Sequence, residues 1–178
     1  MAYIVFEGLD GVGKTELINR LYTKMESEGH QTKCVREPCG STLGESIYRP
    51  ILKGICDIGR KQPIHKLDAI DHALLFTLNR RELMSEIAYY KRMQLNIISD
   101  RSYITMLAYQ AQQADYVDVI CPLLKMSNII EPDLVIYLTR NIAKNDPDDA
   151  IENHYSLKER EEGYRRTMNS LTRLISLR

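Results

Sequence analysis

Lys14 stands behind three glycines in "GLDGVGKT" (residues 8–15), and the spacing Gly8-x-x-x-x-Gly13-Lys14-Thr15 is a complete phosphate-cradling P-loop pattern. Gly8, Gly11 and Gly13 allow the backbone to turn so that successive N–H groups converge on phosphate oxygens, and a helix starting at Lys14 would add its dipole. Lys14 is then expected to reach the β- and γ-phosphates of a nucleoside triphosphate, with the Thr15 hydroxyl on a magnesium ion. The metal needs a second oxygen, and Asp100, closing "NIISD", is placed to give it; Arg101 brings a rigid cation to the same point. A ligandless glycine turn is the alternative reading of the loop, and a helix N-cap is the alternative for Asp100.

The elements that must hold these groups follow from hydrophobic pattern. "AYIVF" (2–6) reads as a buried strand, and Leu17, Ile18, Leu21 and Met25 mark one face of a helix that ends at Gly29. "TKCVR" (32–36), "QLNIIS" (94–99) and "DLVIYL" (133–138) read as the remaining strands. Helices are expected from about Leu43 to Lys53, over 68–92, over 103–114 and 116–128, and at the C-terminal end through Leu157, Tyr164, Met168, Leu171 and Ile175. On the second of these, Ile70, Ala73, Leu74, Leu78, Leu83, Ile87 and Tyr90 are expected to form the apolar face. Apolar strands alternating with helices describe an α/β protein with a parallel sheet covered on both faces, its ligand at the carboxyl ends of the strands.

Composition narrows the function. The 178 residues are 44% hydrophobic and fit one domain, 1–178. Lys plus Arg balance Asp plus Glu at 24 each, which speaks against a nucleic-acid polymer as partner and leaves room for a small anion. No apolar run reaches bilayer length and no leader pattern opens the chain, so a cytoplasmic protein with no membrane partner is expected. Cys34, Cys39, Cys56 and Cys121 lack paired spacing and read as free thiols.

The segments "FEGLDGVGKT", "REPCGSTLGE", "ALLFTLNRRE", "IISDRSYITMLAYQ" and "EPDLVIYL" stand in the order and spacing of the thymidylate kinase family, which the chain resembles over most of residues 3–138. The resemblance implies a three-layer P-loop nucleoside monophosphate kinase fold with strand order 2-3-1-4 and a short lid at about 141–155. It implies phosphoryl transfer from magnesium–ATP to a deoxynucleoside monophosphate, dTMP by preference, in a homodimer. Asp10 would hold the sugar 3′-hydroxyl near the acceptor phosphate, and it has no use in triphosphate binding itself. Arg101 would bind that phosphate, Phe76 would stack on the base and Arg80 would bond a base carbonyl. Glu37, Thr105 and Gln110 would belong to the same nucleotide site, with the Tyr109 ring crowding the 2′ position in favour of deoxyribose. Phe76 and Arg80, four residues apart, share a helix face, as one base touched by both requires.

The chain departs from the family pattern in places. Ser102 stands where a tyrosine is usual, Met106 where a small or polar residue is common, and Tyr48 with Arg49 where an arginine comes one place earlier. The lid segment carries "DAIE" without its arginine, so Arg140 is expected to stabilise the transferring phosphoryl group, while Lys144 is a nearby cation and Arg160 reads as a surface helix residue. The short chain, lacking a fifth strand, fits the form expected of compact phage or viral relatives acting in a host cytoplasm. Competing readings are a kinase of other or several deoxynucleotides, a P-loop switch that transfers nothing, and a nucleoside kinase.

Overall fold

The computed structural model describes residues 1–41, 44–48, 68–112, 115–139 and 156–176. Four parallel strands, β1 (Tyr3–Glu7), β2 (Thr32–Arg36), β3 (Asn96–Asp100) and β4 (Leu134–Tyr137), form one sheet in the order β2-β3-β1-β4. This is the expected order. Strand β1 lies inside the sheet, with Val5 opposite Ser99 on one side and Val135 on the other.

Alternation along β1 decides which helix covers which face. Tyr3 and Val5 pack with Leu83, Met84 and Ile87 of α2 (Ala69–Arg92), whereas Phe6 packs with Ile18 of α1 (Lys14–Ser27) and Ile98. Helices on both faces make three layers. Helix α2 starts at a capping box: Asp68 accepts from the amides of Ile70 (2.8 Å) and Asp71 (2.9 Å), and Asp71 returns a carboxylate to the Asp68 amide (3.0 Å). A third cluster joins the first half of α2 to α3 (Tyr103–Tyr109), α4 (Cys121–Met126) and α5 (Leu157–Ser176).

Three expectations are corrected. The helices foreseen over 103–114 and 116–128 are shorter: α3 stops at Tyr109, a 3₁₀ turn follows at Gln110–Gln112, and α4 begins at Cys121 after a π turn. Pro122 explains the late start, since it has no N–H to donate and sits in the first turn, where none is needed. Of the face foreseen on α2, Ala73, Leu83 and Ile87 are enclosed, joined by Phe76 and Arg80, whereas Ile70, Leu74 and Leu78 are exposed. Arg160, foreseen on the surface, is enclosed at 1% exposure. Cys34, Cys39 and Cys121 are free thiols. Cys56, Arg49, Arg140, Lys144 and the lid at 141–155 lie outside the described residues, as does most of the helix expected at 43–53, whose residues 44–48 form a π turn.

Candidate active site

The carboxyl ends of β1 and β3 gather the charged groups. Between β1 and α1 the loop turns through positive φ at Gly8 (139°), Gly11 (76°) and Gly13 (100°). At Gly8 nothing larger fits, because a Cβ there would lie 2.4 Å from the Leu138 carbonyl oxygen just beyond β4. Gly13 caps α1 in a left-handed conformation, which delivers Lys14 as the first helical residue. The enclosed Lys14 ammonium donates to the carbonyls of Gly8 (2.9 Å) and Leu9 (2.7 Å) and lies 3.8 Å from Asp10. Burial, helped by the charge on Arg101, lowers its pKa to about 8 against the opposing pull of Asp10, Asp100 and Glu7.

Arg101 follows β3 in a left-handed backbone conformation (φ 73°), which a non-glycine residue adopts at a cost of roughly 1–2 kcal/mol and which recurs at functional sites. The turn aims its guanidinium back across the sheet end. There Nη2 donates to Asp10 (2.6 Å) and Nη1 to the Tyr164 hydroxyl (2.7 Å). Asp100 stands beside it, its Oδ1 buried and without a protein partner among the described residues.

Beneath these cations lies Glu7, the last residue of β1, fully enclosed. Its carboxylate accepts from Ser102 (2.7 Å), Thr105 (2.8 Å) and Tyr164 (3.0 Å), so one acid ties β1 to α3 and α5. Burial raises its pKa, opposed by Arg101 and by the three hydroxyls. Ser102 also caps α3 through the Ile104 amide (3.2 Å), which gives this serine a local reason to stand there. The Thr105 hydroxyl faces the same network, 2.9 Å from Tyr164.

A second group of side chains lies along α2 and α3. Arg80 is ion-paired to Glu37 and places Nη1 3.6 Å from the Met106 sulfur; its Nε and the Glu37 Oε2 are buried without a protein partner among the described residues. Phe76, one turn earlier, is enclosed with its ring 6.3 Å from His72 and nearly parallel to it. Gln110, at the end of α3, is 0% exposed, and neither its amide nitrogen nor its carbonyl oxygen has a protein partner among the described residues. Buried polar groups are rarely left so, and a carboxamide of this kind presents an NH2 donor group and a carbonyl acceptor for a ligand edge. Tyr109 stands edge-on to Tyr164, and burial raises its pKa.

Of the foreseen residues, Asp10, Lys14 and Arg101 are brought together with Asp100 nearby, and Glu37 meets Arg80. Thr105, Tyr109 and Gln110 come from the α3 segment between the two groups. Thr15 is exposed in the first turn of α1, directly after Lys14. Sequence reasoning missed Glu7, Tyr164 and Arg160. A charged residue closing an otherwise apolar strand was the available signal for Glu7; none pointed to the other two.

A protein-family model described as thymidylate kinase matches residues 6–176. The chain is 31% identical to a "Probable thymidylate kinase" of Methanosphaera stadtmanae, covering 98% of this chain and 88% of that protein. It is 36% identical to a probable thymidylate kinase of Methanobrevibacter smithii over 76% of this chain, and 35% identical to a thymidylate kinase of Bifidobacterium longum over 61%. In these two the match spans 62% and 51% of the relative's length. Among solved structures, a thymidylate kinase from Ehrlichia chaffeensis superposes with a TM-score of 0.67 at 23% identity, covering 97% of this chain and 82% of that one, and so shares the fold.

Proposed function

Because this chain belongs to the thymidylate kinase family and is by that membership a nucleotide kinase, we propose that it transfers the γ-phosphoryl group of ATP to dTMP, giving ADP and dTDP. The observation that carries this reading is the Asp10–Arg101 pair: an arginine beside the P-loop, held by an acid that triphosphate binding does not need. A nucleotide switch has no use for it, whereas an acceptor monophosphate does.

The reaction asks mainly for positioning and charge compensation. Lys14 compensates the β- and γ-phosphates. Arg101 holds the acceptor phosphate, for which that phosphate competes with Asp10, and Asp10 turns to the sugar 3′-hydroxyl. Arg80 and the Gln110 carboxamide supply donors and an acceptor for a pyrimidine edge, with Phe76 as stacking face and Glu37 and Thr105 completing the pocket. Tyr109 closes the 2′ side. Asp100 and Thr15 suit a magnesium ion, which takes one or two protein oxygens beside phosphate oxygens, and the unpartnered Asp100 Oδ1 fits that role. The ion would neutralise charge on the β- and γ-phosphates when bound. Arg140 is assigned to the transferring phosphoryl group from sequence alone.

The reading extends to a cytoplasmic homodimer. Among the described residues no helix is long and apolar enough to cross a membrane, and the exposed stripe Ile70, Leu74, Leu78 on α2 offers a surface for a second copy.

The deciding experiment measures ADP formation from magnesium–ATP with dTMP, dUMP, dGMP, dAMP, dCMP and the ribose counterpart of dTMP, with thymidine as control. Turnover led by dTMP is expected. Comparable turnover of purine and pyrimidine deoxynucleotides would replace dTMP with a broad specificity, and acceleration by none of the monophosphates would overturn the kinase reading.

A further inference from the structure

The Arg101 guanidinium is held at two nitrogens by groups of unequal permanence. Nη2 donates to Asp10 (2.6 Å), whose side chain is 32% exposed, whereas Nη1 donates to the Tyr164 hydroxyl (2.7 Å), which belongs to a fully enclosed residue of α5. The Tyr164 ring is packed against those of Tyr109 (5.6 Å between centroids) and Tyr137 (5.4 Å), so its oxygen has a fixed position.

The hydroxyl also has a fixed direction. As a carboxylate Glu7 only accepts, and its Oε2 takes the Tyr164 proton at 3.0 Å and the Thr105 proton at 2.8 Å. Burial raises the pKa of Tyr164, so its single proton is retained. With that proton committed to Glu7, the Tyr164 oxygen turns its lone pairs to Arg101, and the Thr105 oxygen lies 3.5 Å from the same Nη1.

The half-open Asp10 carboxylate can yield Nη2 to an acceptor phosphate, since both offer anionic oxygens, while the enclosed hydroxyl on Nη1 stays. We propose that Tyr164, oriented by Glu7, is a positioning residue for the acceptor phosphate: it keeps one arm of the Arg101 guanidinium in place while the other exchanges Asp10 for phosphate. A planar guanidinium held at one nitrogen presents the other in a set direction, which an arginine held by its flexible stem alone does not. The inference rests on the reading of Arg101 given under the proposed function.

The readout is the ratio of the dissociation constants of thymidine and dTMP, measured by calorimetry without ATP. The two ligands share base and sugar, so the ratio isolates the phosphate. In Tyr164→Phe, which keeps the ring and deletes the hydroxyl, the ratio is expected to fall about tenfold, the order of one hydrogen bond to a charged group, with the thymidine constant unchanged. A merely structural role would weaken both ligands alike. Arg101→Ala should lower the ratio further, and adding Tyr164→Phe to it should change the ratio no more.

A wild-type ratio in Tyr164→Phe, beside a lowered one in Arg101→Ala, overturns the role of Tyr164 and leaves that of Arg101 standing. A wild-type ratio in Arg101→Ala, or a wild type that binds dTMP no better than thymidine, removes the reading of Arg101 and the inference with it. Should Tyr164→Phe fail to fold, as a urea titration would show, a crystal structure of the wild type with dTMP decides. Nη1 on the Tyr164 oxygen and Nη2 on the phosphate are expected, and an Arg101 that has left Tyr164 overturns the proposal.

Discussion

A lysine held near pH 8 makes nucleotide binding a proton-linked event. The enclosed Lys14 loses part of its preference for the charged form to burial and to Arg101. A triphosphate restores it, raising the pKa on binding, so above about pH 8 the complex takes up a proton and affinity declines as pH climbs. Calorimetric titration of magnesium–ATP in buffers of different ionisation enthalpy should show this uptake; a flat affinity from about pH 7 to 9.5 would contradict the linkage. Lys14→Ala is expected to lower turnover by at least ~10³ with an unchanged circular dichroism spectrum, because its role is electrostatic. A collapsed spectrum would make the lysine structural instead. Arg140→Ala should reduce turnover at least about tenfold, and a loss within about threefold, ~0.65 kcal/mol, rejects the assignment.

At the scale of elements, α2 grips the loop after β2 with two successive residues. Asn79 accepts from the Cys39 amide (3.1 Å) and donates to Ser41 (2.7 Å), while Arg80 takes Glu37. Asn79→Ala should cost about 2–3 kcal/mol in urea unfolding, for two buried hydrogen bonds lost, and should raise the KM for dTMP more than it lowers kcat. An unaltered KM would mean that the loop keeps Glu37 in place unaided. β1, β3 and β4 were legible because each is a short, largely apolar run between turn residues, β2 because it lies between Gly29 and the proline–glycine loop that follows Arg36, and the P-loop because glycine spacing is local chemistry. The buried face of α2 was legible only in part, at Ala73, Leu83 and Ile87, because Ile70, Leu74 and Leu78 follow helical spacing as faithfully as the core residues, and only tertiary packing chooses between the two stripes. Asp10 and Arg101 were each foreseen beside the acceptor phosphate, though not their contact, whereas Arg160 was misplaced, since charged residues crowd this helix and nothing in the local sequence sets the buried one apart.

At the scale of the whole molecule, the exposed stripe on α2 is an apolar surface that is costly to leave in water. Leu78, 59% exposed, lies between Leu74 and the charged half of the helix. If two copies pair through this stripe, sedimentation should give twice the 20.6 kDa chain mass, and Leu78→Glu should return it to the single mass. A wild type sedimenting as a single chain would leave the stripe without that partner. The Glu7 carboxylate has a consequence for how the protein comes into being. Its bond to Tyr164 joins residues 157 positions apart, and Tyr164 in turn holds Arg101. The triphosphate loop is assembled from the first few dozen residues, but the acceptor side is complete only when the last helix has docked. During synthesis on the ribosome the chain can thus acquire a phosphate cradle long before it has a held arginine for the acceptor, and competence for transfer arrives last.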